Sequence, residues 1–194
     1  MRHIITVAAL IVALLAGSAW ADHSWNGYHW KSSSLTPTVA DKTTASIYEV
    51  GVAVVEWAAL GTPIQPTLSA TNKGKVVVSE GFSPFWLGQA RIFLDDSGHI
   101  TKGEVKLNTL LLEPLGLAAA DHVLCQELGH ILGLDHQRTA VDSCMNDTAT
   151  VGSVTSPNAH DAAQLGVIYS HTDSGGGRRS HEAGWQIVDI IRVR

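Results

Sequence analysis

The run Gln126-Glu127-Leu128-Gly129-His130-Ile131-Leu132-Gly133-Leu134-Asp135-His136 constrains this chain more than any other segment. Positions 126 and 130 are four apart, so on a helix they share one face about one turn from each other. Two donors at that spacing can converge on a single cation. Glu127, next door, can reach a water at that cation without being a ligand itself. There it can take a proton from the water and return it to a leaving amine. Gly133 ends the helix where a residue with positive φ is useful, and the chain then turns to bring His136 back as a third donor. Three protein donors plus one open position make up the donor set of a catalytic zinc site.

The surrounding pattern places this run on a helix within an α+β chain. From Thr43 to Ala59, Ile47, Val50, Val54, Trp57 and Ala58 recur at three- and four-residue spacing, which predicts an amphipathic helix ending before Gly61 and Pro63. The β-branched run Val52-Ala53-Val54-Val55 leaves a strand open there. The period then changes. Lys75 to Ser79, Leu87 to Leu94 and His99 to Leu112 read as strands, separated by turn signals at Asn72-Lys73-Gly74, Ser83-Pro84 and Asp95-Asp96-Ser97-Gly98. Gly103 reads as a bulge or bend in the third strand. The motif helix runs from about Leu117 to Gly133, and Asn158 to Tyr169 forms a last helix. Residues 22–37 start with a short strand. Residues 172–194 read as a Gly-rich linker, with Gly175-Gly176-Gly177, followed by a short β-prone terminal strand from Trp185.

The motif resembles that of the metzincin zinc metalloproteases, H-E-x-x-H-x-x-G-x-x-H followed by a Met-turn. Glu127, His130, Gly133 and His136 match at the family's spacings, and Met145, nine residues after His136, stands where the Met-turn belongs. The run from His160 to Tyr169 is similar to the closing helix of the matrixin branch, with Asp161 as a structural anchor by that analogy. The resemblance spans roughly residues 25–171 and is strongest from 121 to 171. It comes nearest to secreted bacterial matrixin-like proteins carrying a Q-E-x-x-H variant. It implies a metzincin-type catalytic domain over residues 22–171: a twisted mixed sheet with two long helices, a Met-turn and a C-terminal helix. It further implies zinc held by Gln126, His130 and His136, Glu127 as general base, Met145 as a hydrophobic floor beneath the metal, and hydrolysis of peptide bonds. The substrate would be an extended peptide paired with the edge strand of the sheet.

The departure is Gln126, standing where the family has its first histidine. An amide oxygen is neutral, like imidazole, but a poorer donor to zinc. Gln126 can ligate through that oxygen, sit behind a water that ligates in its place, or mark a site that has lost its metal. The last case describes a non-catalytic binding or structural protein on the same scaffold. His122 shares the helix face, but it lies two turns from His130, a rise of about 12 Å. It reads as a partly buried or capping polar residue.

The N-terminal pattern and the cysteines predict an exported chain. Arg2 and His3, the apolar run Ile4 to Ala16 and the small-residue site Ala19-Trp20-Ala21 read as a signal peptide over residues 1–21. Cleavage would leave Asp22 at the front of a secreted product with no transmembrane segment. In an oxidising compartment Cys125 and Cys144, the only two cysteines, are expected to pair; two buried free thiols are the alternative. A formal net charge of −5 over 194 residues offers no basic patch for nucleic acid. A monomer is expected. His99, His171 and His181 read as solvated polar residues. Asp95 to Gly98 reads as a hairpin turn rather than a calcium loop, and Trp25, Trp30, Trp57, Trp86 and Trp185 as core or cleft-wall aromatics.

Overall fold

A computed structural model describes residues 23–138, 142–147, 153–173 and 184–192. The expected leader (1–21), the Gly175-Gly176-Gly177 linker, His181 and parts of the loop after His136 lie outside the described residues. In chain order the elements are strand β1 (His29–Trp30), β2 (Thr38–Asp41), helix α1 (Val50–Ala59), β3 (Thr67–Leu68), β4 (Val76–Glu80), β5 (Trp86–Leu94), β6 (His99–Leu107), α2 (Thr109–Leu112), α3 (Leu117–Ile131), α4 (Ala159–Ile168) and β7 (Gly184–Arg192).

The strands form one mixed sheet in the order β3-β2-β4-β6-β5-β7, and β1 pairs with the opening residues of β6. The β1, β2, β3, β4 and β6 pairings are all parallel. β5 runs antiparallel to β6, and β7 antiparallel to β5. Together with the helices this is a mixed α and β architecture, consistent with the α+β class.

Helix α1 wins over the alternative strand because Val50, Ala53, Val54 and Trp57 fall on one buried stripe. Its start is a correction: the helix expected from Thr43 begins only at Val50. Asp41 Oδ1 accepts from the amide and hydroxyl of Thr43, at 2.8 and 2.7 Å. Glu80 Oε1 accepts from the amides of Thr44 and Ala45, at 3.0 and 2.7 Å. Side chains that capture these amides compete with helical hydrogen bonding, so residues 43–49 stay outside the helix. A second correction concerns the strand expected over His99 to Leu112, which stops at Leu107. Asn108 donates its side-chain amide to the carbonyls of Ser83 and Trp86, at 2.6 and 2.9 Å, and α2 follows at once.

Twelve of the fifteen residues of α3 are buried, so this is a core helix rather than a surface one, and each of its polar side chains must be accommodated inside. Its close approach to the sheet explains Gly103. A Cβ there would come within 2.6 Å of Ile131 Cγ2, whereas the register irregularity of β6 lies against Phe93 and Leu94. Gly103 is therefore a contact point and not the expected bulge. The carbonyls at the end of α3 are met by distant side chains: Trp30 Nε1 donates to Ile131 O at 2.9 Å, and the Tyr169 hydroxyl to Leu132 O at 2.8 Å.

Gly129 faces the helix and turn that pack on α3. A Cβ there would collide with Met145 Sδ and lie 2.7 Å from Trp57 Cζ2. Gly129→Ala is expected to destabilise the protein by about 1–3 kcal/mol through overpacking, despite the better helix propensity of alanine. Urea denaturation measures this, and an unchanged midpoint would mean that Met145 and Trp57 can move aside.

Candidate metal centre

The last two turns of α3 carry Gln126, Glu127 and His130, all fully buried. Gly133, at φ +104°, then reverses the chain, and its amide donates to His130 O at 2.9 Å. No residue with a Cβ fits there, since that atom would lie 2.6 Å from Tyr28 O. The turn is gripped from outside: Trp25 N donates to Gly133 O at 3.1 Å, and Asp135 N to His23 O at 2.6 Å. His136 thereby returns to α3, its ring centroid 4.8 Å from that of His130.

Hydrogen bonds set which atom of each donor faces inward. His130 Nδ1 donates to Leu134 O at 2.8 Å, which makes Nε2 the basic nitrogen. His136 Nδ1 contacts Asp147 Oδ1, the carboxylate–imidazole pairing that orients metal-binding histidines. Gln126 Nε2 donates to Asn146 O at 2.6 Å, and its Oε1 is buried with no hydrogen-bond partner. That buried acceptor is the kind of atom a cation satisfies. Two imidazoles and one amide oxygen, each oriented by a second group, are donors of the kind a divalent cation takes. Glu127 lies against β5, where Gly88 makes room for it: a Cβ at Gly88 would come within 2.5 Å of Glu127 Oε1.

Behind the helix the segment from Ser143 to Asn146 is pinned at several points. Cys125 and Cys144 form a disulfide with their Cα atoms 5.9 Å apart, so the expected pairing is present and no described cysteine is free. Met145 is fully buried against Gly129. Its amide donates to Ser143 Oγ at 3.0 Å, and Ser143 Oγ donates to Asp161 Oδ2 at 2.5 Å. Asp161 also accepts from Asn158 N at 2.8 Å in the capping box of α4, and its Oδ1 lies 3.1 Å from His23 Nε2. His122 is buried with Nδ1 2.7 Å from Val154 O and Nε2 3.3 Å from Asn146 O. Burial lowers its pKa, and the neutral ring can donate to only one of these two carbonyls.

Two features were not anticipated. The edge of β5 beside Glu127 is not open: β7 pairs along it, with Ile190 opposite Gln89 and Arg192 opposite Trp86. His99 and His171, expected to be solvated, both approach Asp173 Oδ1, as does His29. The side chain of His99 is only 14% exposed. The sequence signal was faint, a histidine two residues before an aspartate near the end of the last helix. Set against known proteins, the chain matches no family model and no curated protein sequence.

Proposed function

We propose that this chain is an exported zinc-dependent metalloendopeptidase of the metzincin kind, similar to the matrixins, acting as a monomer on extended peptides. The observation that carries this reading is the buried, unpartnered Oε1 of Gln126 on the same helix face as His130, with His136 returned beside it and Glu127 buried next door. Gln126, His130 and His136 would hold the ion. Zinc supplies Lewis acidity there, polarising a carbonyl and making water more acidic. Glu127 takes the proton from the attacking water and hands it to the departing amine, so one carboxylate serves as base and then as acid. Asn146 O and Leu134 O keep Gln126 and His130 in their orientations. The Cys125–Cys144 bridge ties the segment carrying Met145 and Asn146 to the helix. Met145 serves as the hydrophobic floor. The peptide lies along β5, next to Glu127. The disulfide agrees with export behind a cleaved leader.

A second reading has its own support: the amide donor is weak, and β7 covers the strand edge a peptide would use. On that reading the protein binds a partner without cleaving it. Elemental analysis of the chain purified without chelator separates the two. About one zinc bound through Gln126, His130 and His136, lost in the His130→Ala, His136→Ala variant, supports the protease. No such zinc, with binding restored by Gln126→His, would assign the loss to that one residue and favour the binding protein.

A further inference from the structure

Away from the motif, four side chains from three parts of the chain meet at one point. Asp173 Oδ1 lies 3.2 Å from His29 Nε2, 3.3 Å from His99 Nε2 and 3.5 Å from His171 Nε2, and the two ring nitrogens of His29 and His171 are 3.0 Å apart. His29 comes from β1, His99 opens β6, and His171 and Asp173 follow α4. A tetrahedral zinc site with ligand bonds of about 2.0–2.1 Å has donor–donor edges of about 3.3–3.4 Å. The mutual separations of the His29, His171 and Asp173 donor atoms bracket that edge, whereas His99 Nε2 lies outside that compact set.

The groups behind the donors are oriented as a metal site needs. His29 Nδ1 donates to Gly27 O at 2.8 Å, which leaves Nε2 as the basic nitrogen, facing the cluster. Asp95 Oδ1 lies 3.4 Å from His99 Nδ1, on the far side of that ring. Asp173 Oδ2 is taken by Ser32, whose amide and hydroxyl donate at 2.6 and 2.7 Å, and this turns Oδ1 toward the three rings. Hydrogen bonding alone leaves the contact between His29 Nε2 and Asp173 Oδ1 unmet, even where His29 Nε2 accepts from His171 Nε2. A bond from His29 Nε2 to the carboxylate would require a second proton on a ring whose Nδ1 is already donating. A cation there accepts the lone pairs of His29, His171 and Asp173 at once.

We propose that His29, His171 and Asp173 form a second metal site, an N2O set for zinc or a similar divalent transition ion, with His99 holding Asp173 from the other side. Bound there, the ion joins β1 to the segment that leaves α4. His171, with its side chain 49% exposed, is the solvent-facing ligand through which the metal enters.

The test is zinc titration of the purified, chelator-stripped chain, read by elemental analysis and thermal unfolding, with His171→Gln and His171→Gln, Asp173→Asn as variants. The expected result is that the double variant holds one zinc fewer than the parent and loses most of the zinc-induced rise in Tm. The single variant should weaken that zinc on the order of 100-fold. Cobalt in place of zinc should give tetrahedral visible absorption that the double variant lacks. The His130→Ala, His136→Ala variant must keep this ion, so the proposal stands or falls separately from the protease reading. Equal zinc content and equal Tm shift in parent and double variant would overturn it, leaving a hydrogen-bonded histidine cluster only. Because His171 is largely exposed, the metal-free Tm of the His171→Gln variant should match the parent, and a drop there without loss of metal would also count against the site.

Discussion

Glu127→Gln is expected to lower peptide cleavage by about 10²–10⁴-fold, the usual contribution of a positioned general base, while leaving zinc content unchanged. The change is isosteric, so the close approach to Gly88 on β5 is preserved and packing is not the cause of the loss. What changes is basicity: an amide cannot accept the proton of the attacking water or return it to the amine. Steady-state kinetics on a quenched peptide, with metal analysis of the same preparation, makes the measurement. If more than about a tenth of the activity remained, general-base work would have to be assigned to another group.

The second large effect concerns β7. If a substrate peptide adds to the sheet beside Glu127, it must pair with the strand edge that β7 holds, so the chain's own segment competes with the substrate. An intramolecular competitor acts at a high effective concentration. Ile190→Pro, together with Asp189→Pro, removes a β5-facing backbone donor whichever of the two amides points to the sheet, and weakens that pairing. It is expected to raise kcat/KM for an extended peptide on the order of 10-fold, mostly through KM, with zinc content unchanged. An unaltered KM would mean that the peptide does not use the β5 edge.

The parts of this molecule readable from sequence are those whose cause is local. The 3.6-residue stripe of α1, the Asn158 cap of α4, the Asp95–Gly98 turn and the positive φ at Gly133 all follow from neighbours within a few residues. Misreadings occurred where a distant group decided the outcome. Glu80 keeps Thr44 and Ala45 out of α1 from 36 residues away. The short strands β2 and β3 have too few residues to show alternation, and they exist because parallel neighbours pair with them. Gln126 and His130 were legible because their spacing is periodic on one helix. His29 and Asp173, 144 residues apart, have no periodic relation and become neighbours only through the fold. Each taken alone is an ordinary polar residue.

The grip on the Gly133 turn also orders events in time. Trp30 reaches Ile131 across 101 residues and the Tyr169 hydroxyl across 139, while His23 reaches Asp161 across 138. Helix α3 can form from local contacts, but the turn that returns His136 waits for segments from both ends of the chain. Closing loops of that length is slow compared with forming a helix. The geometry that positions His136 is therefore among the last things this chain acquires: a nascent chain lacking α4 carries the motif helix without a finished site.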